Sequence, residues 1–67
     1  MITVTINGER REFPQPLAFT QLVDALGLAG KRIAVERNGE IVPRSRFGES
    51  ALADGDTLEI VVAVGGG

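Results

Sequence analysis

One helical stripe stands in a chain otherwise patterned for strands, and that imbalance limits the folds open to it. Phe19, Leu22, Val23 and Leu26 recur at i, i+3, i+4 and i+7, the spacing that lays one apolar face along a helix. Gly27 is placed to close that helix in a left-handed cap. Its start is less marked. Ala18 is a poor N-cap, whereas Thr20 is a good one that would shorten the helix, so a helix over about 18–26 is expected. A single helix in 67 residues covers one face of a sheet and leaves the other open.

The strands announce themselves by alternation. Ile2, Val4 and Ile6 alternate with Thr3 and Thr5, and Asn7-Gly8 then supplies the dipeptide of a tight hairpin turn. Glu9 to Phe13 returns as a charged second strand, suited to a sheet edge, and Pro14-Gln15-Pro16 ends it. Past the loop Leu28-Ala29-Gly30, Arg32 to Arg37 reads as a third strand. Asn38-Gly39 offers a second hairpin into Glu40-Ile41-Val42, which Pro43 confines to an edge. Arg44 to Ala53 has no clear period and is expected to cross the sheet as a loop or short helical turn anchored by Phe47 and Leu52. Asp54-Gly55-Asp56 is a turn, and Thr57 to Val64 the last strand. The pattern assigns Ile2, Val4, Ile6, Phe13, Ile33, Val35, Ile41, Leu58, Ile60 and Val62 to the buried face of the sheet. Leu17, Phe19, Leu22, Val23, Leu26 and Leu52 would cover it. The order strand, strand, helix, strand, strand, strand closes neatly as an α+β β-grasp, a mixed four- to five-stranded sheet in which the final strand lies parallel beside the first.

Composition removes several functions. With no Cys and no His there is no disulfide staple and no usual zinc ligand set, so no metal site is expected. Nor is there a conventional nucleophile and base pair, with Ser45 and Ser50 the only serines. An enzyme in its own right is therefore not expected. Asp54 and Asp56 read as turn chemistry rather than as a carboxylate pair or a calcium turn. Arg44 and Arg46, which could hold a phosphate, read as solvated. A net charge of −2 with interspersed signs gives no basic footprint for nucleic acid, and three Phe with no Trp or Tyr give no base-stacking platform. No window approaches a membrane span and no signal-peptide pattern opens the sequence, so no membrane contact and a cytoplasmic location are expected.

The last strand runs without punctuation into Gly65-Gly66-Gly67. A glycine run is also what a flexible terminus or a cloning remnant carries, but no Ser or protease-site sequence accompanies this one. Without Cβ atoms the three residues can lie close to another protein's surface and reach at most roughly 10 Å. The expectation is a folded domain over 1–64 and a glycine tail over 65–67, ending in a free Gly67 carboxylate. Such a group can attack the α-phosphate of ATP to give an acyl adenylate open to a second nucleophile. Val61 and Ala63 are apolar on the face of the last strand that should be wet. One such residue needs no explanation, but two beside the tail suggest a docking surface.

A compact β-grasp with a bare glycine tail resembles the ubiquitin-like sulfur carriers, most closely the thiamine-biosynthesis (ThiS-like) family. The resemblance covers essentially the whole chain. It is carried by Ile2-Thr3-Val4-Thr5-Ile6-Asn7-Gly8, Leu22-Val23-Asp24-Ala25-Leu26-Gly27, the run from Val35 to Arg44, Leu52-Ala53-Asp54-Gly55-Asp56, and Glu59-Ile60-Val61 leading to Val64-Gly65-Gly66-Gly67. Ala18 departs from it, since such proteins often have a capping Thr there.

The resemblance implies that Gly67 is adenylylated by an ATP-dependent enzyme similar to ubiquitin-activating enzymes. It is then converted to a thiocarboxylate with sulfur from a cysteine desulfurase or related donor, and thiazole synthase takes the sulfur. Gly65 and Gly66 would be the threaded segment, and Val64 the boundary between fold and tail. The chain would bind no cofactor, ATP being the partner's, and would be a monomer when free. Rival readings keep the fold: the small subunit of molybdopterin synthase, another pathway's carrier, or a ubiquitin-like modifier. An interaction module with an inert tail is the reading from a different class. Carriers of the molybdopterin type usually run longer and lack the run Asn38-Gly39-Glu40-Ile41-Val42-Pro43-Arg44.

Overall fold

The computed structural model describes residues 1–63 of the 67. Strands β1 (Ile2–Ile6), β2 (Glu9–Phe13), β3 (Ile33–Arg37), β4 (Glu40–Val42) and β5 (Thr57–Val62) form a sheet of order β2-β1-β5-β3-β4, and one helix, α1 (Phe19–Ala25), packs on it. β5 lies in the middle, parallel to β1 and antiparallel to β3, while β1–β2 and β3–β4 are antiparallel hairpins. This is the expected β-grasp. Residues Arg44–Arg46 form a short 3-10 turn, and Phe47 and Leu52 anchor the crossing loop as buried residues.

Both Asn-Gly pairs form the tight turns their sequence calls for. Asn7 and Gly8 have φ of 51° and 83°, and Asn38 and Gly39 have 50° and 88°. Two successive positive φ values match the right-handed twist of the flanking strands, and Asn followed by Gly tolerates them best. The turns then set the register, pairing Ile6 with Glu9 and Arg37 with Glu40. Register decides faces, because successive side chains alternate.

The helix is one residue shorter at each end than expected, with Ala18 as N-cap and Leu26 as C-cap. Ala18 has no side chain with which to cap. Its N–H instead donates to Gln21 Oε1 at 3.0 Å. The Phe19 N–H donates to the Ser50 carbonyl at 2.9 Å and the Leu52 N–H to the Leu17 carbonyl at 2.8 Å, so the crossing loop serves the helix start where a cap residue would. Gly27, at φ 74°, closes the other end as expected.

The core is Ile2, Val4, Ile6, Phe19, Leu22, Val23, Val35, Phe47, Leu52, Leu58 and Ile60, with Phe13, Leu17, Leu26, Leu28, Ile33 and Val42 half-buried against it. Two expected core residues are not in it. Ile41 is 72% exposed. The turn at Asn38-Gly39 pairs Ile41 with Glu36 and Val42 with Val35, so Val42 faces inward and Ile41 must face out. Val62 is 38% exposed; β3 still pairs with it, but the β1 flank, which Asn7 extends as far as Ile60, does not reach it. Phe47 belongs to the core more firmly than the sequence suggested. Its ring lies 6.0 Å from that of Phe19, tilted by 51°, and an aromatic on an aperiodic loop gives no pattern to place it.

Candidate functional site

The site sought by the sequence is the exit of the last strand. β1 pairs with β5 only at Thr5–Thr57 and Ile6–Leu58, and β3 pairs with it from Leu58 to Val62. Beyond Ile60, β5 has β3 alone as its neighbour. The Ala63 N–H donates to the Arg32 carbonyl at 2.9 Å, extending that ladder by one residue. The described part of the chain thus ends beside the middle strand of the sheet, at a strand end open on one side.

Two side chains that the sequence marked only as turn residues fix β5 in place. Asn7 Oδ1 accepts the Ile60 N–H at 2.7 Å, and Asn7 Nδ2 donates to the Ile60 carbonyl at 3.0 Å. A side-chain amide here continues the ladder past the end of β1. Asn38 does the same on the other flank, its Oδ1 accepting the Thr57 N–H at 2.9 Å while its own N–H donates to the Thr57 carbonyl at 2.8 Å. Asn-Gly is read as a turn signal from its φ preference alone, so this second role has no sequence signature.

Asp54 and Asp56 are turn chemistry, as expected, and more. Asp54 Oδ1 accepts the Thr3 N–H at 2.8 Å, and the Gly55 N–H donates to the Thr3 carbonyl at 2.8 Å. Asp56 is only 7% exposed. Its Oδ2 accepts the Ala53 N–H at 2.9 Å and lies 2.9 Å from Arg37 Nη2, and its Oδ1 accepts from Asn38 Nδ2 at 3.2 Å. Burial alone raises its pKa, but these bonds and the Arg37 charge outweigh it and hold the carboxyl below its ordinary value. The Arg37 guanidinium also lies 5.7 Å above the Phe19 ring, tying the β3–β4 hairpin to the helix. Arg44 Nη2 donates to the Lys31 carbonyl at 2.6 Å, and Arg46 lies 3.6 Å from Glu49.

Of the predicted site residues, Val61 and Ala63 are described and both are exposed, Val61 at 62%. β5 buries Leu58 and Ile60 and exposes Thr57, Glu59, Val61 and Val62. Val64, Gly65, Gly66 and Gly67, and with them the division into 1–64 and 65–67, lie outside the described residues. On the helix side of the exit, Ile6, Ile60, Val62, Leu26 and Leu28 line a hollow of about 250 Å³ rimmed by Asn7, Glu9 and Arg11. Among the described residues no group of three or more metal-ligating side chains comes together, and no helix is long and apolar enough to cross a membrane.

Comparison with known proteins agrees with this geometry. The chain is similar to a thiazole synthase of Paramagnetospirillum magneticum, 47% identical over 64 residues that make up 96% of this chain and 20% of that protein. It therefore spans about a fifth of that relative's length. It is 46% identical over 63 residues to the sulfur carrier protein ThiS of Bacillus subtilis, covering 92% of this chain and 96% of that protein. The crystal structure of the thiamine biosynthesis protein ThiS from Geobacter metallireducens superposes with a TM-score of 0.83 at 33% identity, covering 98% of this chain and all of that one. A family model described as the ThiS family matches residues 4–67, a span that takes in every strand but the first residues of β1, the helix and the glycine run, and the chain belongs to that family.

Proposed function

We propose that this protein is a sulfur carrier of thiamine biosynthesis, a co-substrate rather than a catalyst, whose working group is the Gly67 carboxylate. The observation that carries the reading is the family match through residue 67 on a chain with no Cys and no His. No side chain here offers the usual means of holding sulfur covalently, which leaves the backbone carboxylate.

The chemistry follows from that group. The Gly67 carboxylate oxygen attacks the α-phosphorus of ATP in a partner's site, and pyrophosphate leaves. A persulfide sulfur, supplied by a cysteine desulfurase or related donor, then attacks the acyl carbon and AMP leaves; a thiol reductant cleaves the S–S bond of the resulting acyl disulfide, releasing the donor's thiol and leaving a thiocarboxylate. An acyl adenylate hydrolyses in water, so the tail must be enclosed while activated, and Gly65 and Gly66 are the residues that a narrow channel admits. Val64 is the proposed boundary, with Val61 and Ala63 on the docking surface. Thiazole synthase is the proposed acceptor. The stretch of a thiazole synthase that is 47% identical to this chain supports the pairing.

The test uses an absence. Because the chain has no cysteine, a thiol-alkylating reagent labels it only after sulfur has been added. The protein is incubated with an adenylating enzyme, ATP and a sulfur donor, alkylated, and the adduct located by fragment mass spectrometry. An adduct on Gly67 is expected. An unlabelled Gly67, with the enzyme shown to be active, refutes the carrier reading.

A further inference from the structure

The helix covers one face of the sheet, and the other face is uncovered among the described residues. On that face the register sets Ile41, Glu36 and Glu59 in one row across β4, β3 and β5, with Ala34 and Val61 side by side in the next. All five are exposed. Ile41 and Val61 are, with Met1 and Val62, the large apolar residues most open to solvent among those described.

Glu36 and Glu59 stand directly opposite each other, which in an antiparallel pair brings their Cβ atoms to about 5 Å and makes the like charges destabilising. Among the described residues no cation forms an ion pair with either. The ion pairs among the described residues are Arg37–Asp56 and Arg46–Glu49. Arg10, opposite Thr5 on β1, and Arg32, whose carbonyl holds Ala63, lie on other rows.

A purely apolar partner does not fit this face. Covering Val61 and Ile41 brings Glu36 and Glu59 out of water as well, and two desolvated, unpaired carboxylates cost more than the apolar contact returns. We propose that the face seats a protein that presents an arginine between aliphatic side chains. The guanidinium lies across Glu36 and Glu59, and the aliphatic groups cover Val61 and Ile41. Arginine suits because its planar fork of five donors can serve two carboxylates at once. Val61 is two residues from Ala63, the last described residue, so a protein seated here touches the strand that leads in sequence to the glycine run. The partner is taken to be the enzyme that adenylates Gly67, and in that respect the inference rests on the carrier reading.

The experiment compares the wild type with Glu36→Gln/Glu59→Gln by titration against the purified adenylating enzyme at low and moderate salt. A control, Glu9→Gln/Asp24→Asn, removes the same net charge from elsewhere on the surface. The Glu36/Glu59 variant is expected to melt at a higher temperature than the wild type, because a repulsion is gone. It should also bind about tenfold more weakly, with a flatter salt dependence. A merely structural role cannot give that combination. Unchanged affinity, a loss no larger than the control's, or a loss seen with thiazole synthase and not with the adenylating enzyme overturns the proposal. Absence of any binding by the wild type overturns it too. Wild-type binding without thiocarboxylate formation refutes the carrier reading instead, and the docking comparison still stands on its own result.

Discussion

Asp56→Ala removes the one buried carboxylate among the described residues, and its cost can be worked from the bonds lost. The Ala53 N–H loses an ionised acceptor at 2.9 Å in a part-buried setting, worth about 1.5–3 kcal/mol. The Arg37 pair contributes less, because the guanidinium side chain is 30% exposed and water replaces the carboxylate there. The Asn38 bond, at 3.2 Å, is the longest of the three. Together these give about 3 kcal/mol, against a total stability of roughly 3–10 kcal/mol for a chain of this size. In urea melts with an m-value of about 1 kcal/mol/M, the midpoint should fall by about 3 M or the variant should be unfolded outright. A pH series adds a sign. The folded carboxyl is held below its ordinary value, so its contribution is full above the unfolded value of about 3.9 and is lost as pH falls through the lower folded value. The stability gap between wild type and variant should therefore narrow below about pH 4. A gap under about 1 kcal/mol at pH 7, or one that stays constant down to pH 2, would refute the account.

Three further outcomes follow from named contacts. Asn7→Ala should cost about 2 kcal/mol in urea melts, since it strands the Ile60 N–H and carbonyl, whereas Asn7→Asp, which keeps only the acceptor, should cost less. Ala18→Ser should stabilise by about 0.5–1 kcal/mol, because a hydroxyl at the N-cap adds the half of the capping box that Gln21 lacks; no gain in melting temperature would show that the crossing loop already meets that need. Val61→Glu should leave the melting temperature within a few degrees of wild type, its site being 62% exposed, yet slow activation of Gly67 by the adenylating enzyme, and normal activation would remove Val61 from the docking surface.

Much of this fold was legible because its signals are local. Alternation at Ile2, Val4 and Ile6, the helical spacing from Phe19 to Leu26, and two Asn-Gly turns each specify one element without reference to the rest. What local pattern could not supply was the choice between two adjacent apolar residues. Ile41 and Val42 are both strand-formers, and only the turn register decides that Val42 faces the helix. Val62 continues the alternation of β5, but alternation says nothing of where the neighbouring strand and helix stop. Asp56 and the two asparagines were read as turn residues, and their long-range roles span 18 to 53 residues of sequence. The exposure of Val61 was legible from the alternation of β5, whereas the Glu36–Glu59 opposition needs the pairing of β3 with β5.

The placement of β5 connects these observations to the proposed chemistry. A carrier must present its terminal carboxylate at a set distance from a body that a partner can grip. If the tail left from an edge strand, closure of a partner around it could peel that strand away, since an edge is held by one ladder. Here the strand leading to the tail is the central one, bonded to β1 and β3 along its first half and clasped by Asn7 and Asn38 on its two flanks. Only from Val61 onward does it rely on β3 alone. Tension applied beyond Ala63 would therefore be resisted by both hairpins at once, Ala63 itself being held by the Arg32 carbonyl. The same arrangement puts the exposed Val61 and the Glu36–Glu59 pair on the strands that carry this load, so a protein gripping that face holds the tail through a stiff connection.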